Sequence, residues 1–327
     1  MVTKEELFFD SCDHISKVHA VKWIPNIEVR AIMIVAHGMA EYIERYDKLA
    51  VYLADRGILV AGNDHLGHGR SVGEKGPGYI CEQDPAMVLV RDVHRLKRLL
   101  QEEYRGVPFI CLGHSMGSYV IRNYLCRYEN DVSGAIIVGT GMPARPLILF
   151  ARALANVQAL VLGGRSPGKM LNNLTFSGYN KRIDRPLSPF SWLSENEENV
   201  RAYDDDPLCG FLFSVNGFQT LFELIHRSQQ KDLTMVPTDL PLFFIAGSKD
   251  PVGDYGVGVR RAMDSLRKLG MSDITELMYP TARHEVLNEK YNEEVFGEIY
   301  EWTVKKIINI ADNKHNDVHL GNTSTGE

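Results

Sequence analysis

The stretch Pro108–Leu125, PFICLGHSMGSYVIRNYL, runs an apolar strand-like segment into Gly113-His114-Ser115-Met116-Gly117 and out into a helix-like pattern. A serine flanked two residues away on each side by glycine, at a strand-to-helix junction, predicts a turn so tight that the serine backbone is strained and its neighbours must be small. An ordinary helix N-cap serine has no need of either glycine. Gly113 and Gly117 are therefore expected as steric supports for Ser115. Because the turn opens a helix, backbone N–H groups and the positive end of the helix dipole face Ser115, and the Met116 amide is expected to be one donor to a developing oxyanion.

Working outward, strand-like runs recur at 31–36, 57–62, 107–112, 134–139, 240–246 and 274–279. Most are continuous β-branched or aliphatic segments, the pattern of strands covered on both faces. Between them lie segments with apolar residues at three- and four-residue intervals, such as PAMVLVRDVHRLKRLLQEEY and GVGVRRAMDSLRKLG. This alternation predicts an α/β fold with a mostly parallel sheet and helices on both faces. The opening, KEELFFDSCDHISKVHAVKWIP, is expected to add antiparallel strands at one edge. The alternation fails between about Met142 and Pro237, where an apolar segment, RPLILFARALANVQALVLGG, precedes a turn-rich stretch and then several phenylalanines. We read 142–237 as an inserted helical cap on a core made of 1–141 and 238–311, and 312–327 as a polar tail without fixed structure. The apolar cap segment contains Arg145 and Arg152 and is short for a membrane span, so it is expected to lie on the core, with transient contact between the cap and a membrane surface as a second possibility.

Composition sets bounds on function. The chain has 327 residues, a net charge of -6, and 44% hydrophobic and 24% charged residues. This is an ordinary soluble globular profile without the basic footprint that nucleic acid requires. Five scattered cysteines, with no C-x-x-C spacing, signal neither a disulfide framework nor a zinc site. The N-terminus has acidic residues where a secretory signal needs basic ones, so a cytoplasmic location is expected.

A serine hydroxyl attacks only when a base takes its proton. In strand–serine–helix architectures the partners follow in the order serine, acid, histidine, each on a loop after a later strand. His284 fits, in TARHEVL after the last strand-like run; His315 and His319 fall in the polar tail. Asp250, in the first turn after LPLFFIAGSK, fits the acid, with Asp254 a weaker alternative. A second oxyanion donor is expected from the loop after the 31–36 strand, where Gly38 lets the backbone bend and the Met39 amide follows. His37 and Glu41 are read as structural members of that loop. His65 and His68 have H-x-x-H spacing, but Gly67 and Gly69 speak against the helix that would align them on a metal, so no metal site is expected.

His37-Gly38-Met39-Ala40-Glu41, NDHLGHGRS, GHSMGS, GSKDPVG and ARHEVLNE, in this order, resemble the monoacylglycerol lipase and lysophospholipase-like branch of the α/β-hydrolase superfamily. The resemblance covers about 22–311. It implies an α/β-hydrolase fold and cofactor-independent hydrolysis of esters that join an acyl chain to a small polar head. It also maps Ser115, Asp250 and His284 onto a catalytic triad, and Met39 and Met116 onto an oxyanion hole. One departure is Ala40, where relatives often carry glycine. Amide or peptide cleavage, for which the acidic runs SENEEN and DDD are candidate amine-binding groups, and acyl transfer are alternatives with the same triad. A ligand-binding module that does no chemistry is the alternative from another class. The oligomeric state is not expected to be readable from sequence.

Overall fold

A computed structural model describes residues 1–128, 131–229 and 236–312. The polar tail from 313 onward and the 230–235 end of the predicted insertion lie outside the described residues.

Eight strands among the described residues form one sheet: β1 (Thr3–Asp10), β2 (Lys17–Ile24), β3 (Ala31–Ala36), β4 (Ile58–Asn63), β5 (Phe109–His114), β6 (Gly134–Val138), β7 (Leu242–Gly247) and β8 (Ile274–Tyr279). Their spatial order is β1-β2-β4-β3-β5-β6-β7-β8. The first two pair antiparallel with each other, and β2 pairs antiparallel with β4, as the looser opening pattern predicted. From β4 through β8 the pairing is parallel.

The continuous apolar runs serve two cores at once, because alternate strand residues point to opposite faces. Ile32, Ile34, Cys111, Ala135, Ile137 and Phe244 join one cluster. Met33, Val35, Ile110, Leu112, Ile136 and Phe243 join the other. The first face is covered by α2 (Pro85–Glu103), α3 (Met116–Arg127) and α8 (Val257–Arg267), and the second by α1 (Asp47–Ala54) and α9 (Asn292–Thr303). Both faces being covered explains why these strands lack the polar alternation of a half-exposed sheet.

Between β6 and β7 the chain leaves the sheet and forms α4 (Arg145–Leu162), α5 (Lys169–Phe176), α6 (Glu197–Asp205) and α7 (Val215–Arg227). The last of these starts at Ser214, whose hydroxyl accepts from the Gly217 amide at 3.1 Å. The expectation that the apolar segment lies on the core holds for only one face of α4. Ile148, Ala151 and Ala155 are buried, Arg152 pairs with Glu223 of α7, and Gln219 of α7 donates to Asn156 at 2.8 Å. Its other face leaves Leu147, Phe150, Val157, Leu160, Val161 and Leu162 exposed. α4 is long and apolar enough to cross a membrane by length and composition alone, yet Arg145 stands at its first position and Arg152 is tied to α7.

β5 runs to His114, two residues beyond the run predicted from sequence, so the strand delivers the chain directly to Ser115. The parallel strands β3, β5, β6, β7 and β8 all point the same way. The loops that follow β3, β5, β7 and β8 therefore gather at one end of the sheet, where open α/β sheets place their ligands.

Candidate active site

Ser115 has φ 52° and ψ -118°, a conformation that L-residues avoid. Two close approaches enforce it. A Cβ on Gly117 would stand 1.9 Å from the Ala36 carbonyl oxygen, and one on Gly113 would stand 2.4 Å from the Gly117 carbonyl oxygen. The start of α3 is thus pressed against the ends of β3 and β5. The Ser115 amide donates to Val138 at 3.0 Å, and Ser118 Oγ donates to the Ser115 carbonyl at 2.6 Å. Both bonds fix the backbone of the turn and leave the Ser115 side chain outside them.

Of the two candidate acids, Asp250 meets the histidine. His284 Nδ1 and Asp250 Oδ2 are 2.9 Å apart, and both residues are buried. Asp250 Oδ1 accepts from the Val252 amide at 2.8 Å, so both carboxylate oxygens are engaged. Asp254 is exposed, with φ 49°. The His284 ring packs on His114, the residue before Ser115, with centroids 4.8 Å apart, and on Trp192 from the insertion at 5.1 Å. Among the described residues, Ser115 Oγ makes no hydrogen bond to His284. Such contacts are often loose before substrate arrives.

A Cβ on Gly38 would stand 3.2 Å from Ser115 Cβ, which brings the loop after β3 against the serine. The Met116 amide occupies the first position of α3, where no intrahelical acceptor exists. Met39 follows Gly38 in the loop, and Ala40 has φ 54°, the region glycine prefers. The Ala40 carbonyl is fastened by Tyr203 OH at 2.9 Å and by the Gly210 amide at 3.0 Å, both from the insertion.

His37, read as structural, donates or accepts within its surroundings as expected: Nδ1 lies 2.8 Å from the Gly38 carbonyl and Nε2 accepts from the His65 amide at 2.9 Å. The His37, His65 and His68 rings meet tilted and edge to face in a buried group, with His37 4.3 Å from His65 and 5.1 Å from His68. Beneath them Asp64 accepts from the Ile43 and Arg70 amides and pairs with His19 at 2.8 Å. A Cβ on Gly69 would strike that carboxylate at 2.4 Å, which accounts for the glycine. Glu41 is an ion-pairing member of its loop, as predicted. Within the two acidic runs, Glu197, Glu198, Asp204 and Asp205 are exposed, and Asp206 accepts from Tyr42 OH at 2.8 Å.

Sequence reasoning missed Arg45, Glu285, His114 and Trp192. Arg45 Nη1 and Nη2 donate to the two oxygens of Glu285 at 2.6 and 2.8 Å, and Nη1 also donates to Glu41 at 2.8 Å. His114 Nδ1 lies 3.2 Å from the same Glu41. Burial alone would raise the Glu41 carboxyl, but the hydrogen bond from His114 and the Arg45 charge hold it well below the usual carboxylate range. Burial likewise opposes charge on His114, and its bond to Glu41 outweighs that, so the imidazole pKa is raised. The only advance signals were the i,i+4 spacing of Glu41 and Arg45 and the adjacency of Glu285 to His284.

Residues 27–291 match the family described as "Serine aminopeptidase, S33". A monoacylglycerol lipase of Mycolicibacterium smegmatis is 28% identical over 305 residues, which is 93% of this chain and 99% of that one. A monoglyceride lipase of Mus musculus is 30% identical over 289 residues, 87% of this chain and 86% of its own. Among solved structures, a thermostable carboxyl esterase from Bacillus coagulans in complex with glycerol superposes with a TM-score of 0.87 at 27% identity, covering 94% of this chain and 100% of the other.

The buried imidazoles give a testable pH dependence. Burial pushes His37, His65 and His68 down, His68 to about 3. An unfolded histidine takes its proton near 6.5, so between about pH 6.5 and 3 the unfolded chain binds the extra proton and stability falls with pH. Asp92, raised by burial to about 6, acts in the opposite direction but equally in both proteins compared. His68→Asn keeps a donor for the Leu66 carbonyl, which His68 Nδ1 faces at 3.0 Å, and removes one titrating group. Urea unfolding from pH 6.5 to 5 is expected to show a shallower loss of stability in the variant, by up to about 1.4 kcal/mol per pH unit.

Proposed function

The chain belongs to the serine aminopeptidase family of the α/β-hydrolase superfamily and is a serine hydrolase of the lipase and esterase type, and from that premise we propose that Ser115, Asp250 and His284 carry the reaction. One observation bears most of this reading: the 2.9 Å Asp250–His284 bond, buried beside a serine that sits at φ 52° between two obligatory glycines. In the proposed cycle His284 Nε2 takes the Ser115 proton as Oγ bonds to the ester carbonyl carbon. The Met39 and Met116 amides receive the oxyanion, each donor contributing about a hundred- to a thousand-fold in turnover. The alcohol leaves with the proton that His284 holds. Water, deprotonated by the same imidazole, then cleaves the acyl-enzyme and frees the acid. Asp250 fixes the tautomer and offsets the imidazolium charge.

For the substrate we propose an ester of one acyl chain with a small polar head, monoacylglycerol first and lysophospholipid second. The names of the relatives support this, as does the aromatic floor of the insertion over His284, built from Trp192, Phe176 and Tyr179. Residues 142–237 act as a lid over the core formed by 1–141 and 238–311. The outer side of that lid supports transient contact with a lipid surface. α4 has an exposed apolar face, Met170 and Leu174 of α5 are exposed as well, and from 145 to 185 the chain has seven Lys or Arg and a single acid, Asp184. Large apolar patches ringed by polar groups are the mark of an interaction surface, and basic residues draw it to anionic headgroups.

Two measurements test these readings. Against a panel of glycerol monoesters and matched amides, wild type is expected to prefer esters of intermediate to long chain, and Ser115→Ala to lose at least about a thousand-fold. Equal rates on amides would move the assignment to peptide-type cleavage. With vesicles containing anionic lipid, Leu160→Glu with Val161→Glu is expected to reduce co-flotation several-fold while hydrolysis of a short soluble ester stays unchanged.

A further inference from the structure

The loops that carry Met39, Ser115 and His284 are all tied to one buried cluster of charge. Glu41 Oε1 accepts from the Gly38 amide at 2.6 Å, next to Met39, and also from Tyr46 OH at 3.0 Å. His114, next to Ser115, lies between Glu41 Oε1 at 3.2 Å and the His284 carbonyl at 3.3 Å. Glu285, next to His284, receives the fork of Arg45 and Asn288 Nδ2 at 3.1 Å. Arg45 is the cation between the two carboxylates, and its planar head lies 4.9 Å from the Tyr203 ring centroid. Tyr203 and Asn199 belong to α6 of the insertion. Asn199 Nδ2 donates to Glu285 at 2.7 Å, and its Oδ1 lies 3.3 Å from Arg45 Nη2.

We infer that Arg45 is a positioning residue that sets the register of the Met39 loop against the His284 loop and makes that register depend on the seating of α6. This rests on the triad reading given above. Without the guanidinium, Glu41 and Glu285 face each other as buried like charges, and each loses its strongest partner. The two loops part, and the oxyanion donors and the base no longer converge on one carbonyl. Lysine cannot replace the arginine, because a single ammonium cannot meet two carboxylates and an aromatic face with a flat, forked head. The groups that face Arg45 are Glu41 on its own side, Glu285 from the loop after β8, Tyr203 and Asn199 from α6, and Cys209 beyond them.

Removing the Arg45 side chain would enlarge a narrow recess that it lines with Tyr46, His114, Glu285 and Asn288 and that now has room for about one water. That space makes chemical rescue the deciding experiment. Wild type and Ser115→Ala are first compared on a short soluble ester; without Ser115-dependent hydrolysis the triad reading itself fails. Given that activity, Arg45→Ala is expected to lower kcat by about thirty-fold or more with KM within about two-fold, since small misplacement of reacting groups is costly. Millimolar guanidinium is expected to restore kcat at least about five-fold, with sodium chloride of equal ionic strength restoring none, and Arg45→Lys is expected to resemble the alanine variant. Asn199→Ala, on a half-exposed part of α6, is expected to lower kcat about three- to ten-fold on the same substrate. It decides the matter if Arg45→Ala does not fold. Unchanged kcat in these variants, a loss that only tracks the folded fraction by circular dichroism, or equal rescue by sodium chloride would overturn the inference while leaving the triad intact.

Discussion

The contact between Gly117 and the Ala36 carbonyl sets the rest of the site. A side chain on Gly117 would overlap that oxygen at 1.9 Å, so α3 reaches the end of β3 only because the position is bare. That approach forces Ser115 to φ 52° and leaves the Met116 amide at an unsatisfied helix start. The strain, of order 1–3 kcal/mol for such a residue, is held by a sheet buried on both faces. Two cores pulling on alternate residues of the same strands hold the turn better than a half-solvated sheet would.

Charge is used differently in the two halves of the site. Around His284 it is minimal, with one carboxylate, Asp250, bonded to the ring and to the Val252 amide. Around the supporting loops it is dense and self-neutralising, with Glu41, Arg45, Glu285 and His114 alternating in sign within hydrogen-bond range. Buried pairs of this kind add little to stability compared with apolar packing but penalise every arrangement other than their own. They suit a place where three loops from distant parts of the chain must keep one geometry. The histidines beneath the Met39 loop follow a third pattern: burial favours their neutral form.

The parallel strands were legible because burial on both faces leaves an unbroken apolar signature. Their ends were less so: β5 extends through Gly113 and His114, residues that read as turn rather than strand. The Asp250–His284 pair was legible because the order of such partners along the chain is fixed by topology, and the choice of Asp250 over Asp254 followed from its place in the turn. Arg45 and Glu285 were not, because charged residues read as surface by default and their partner lies 240 positions away. The insertion could be seen only as a break in the alternation. That one side of α4 would stay exposed depended on how little of α7 was available to cover it. The basic excess between 145 and 185 had no meaning until those residues were seen to share one insertion between β6 and β7.

The most direct test of the central claim is a crystal structure of the enzyme phosphonylated by a small alkyl fluorophosphonate. The account predicts phosphorus bonded to Ser115 Oγ, one phosphonyl oxygen within about 3.1 Å of both the Met39 and Met116 amides, and His284 Nε2 turned toward the adduct with its Asp250 bond kept. An adduct on another residue, or a phosphonyl oxygen pointing away from both amides, would contradict it.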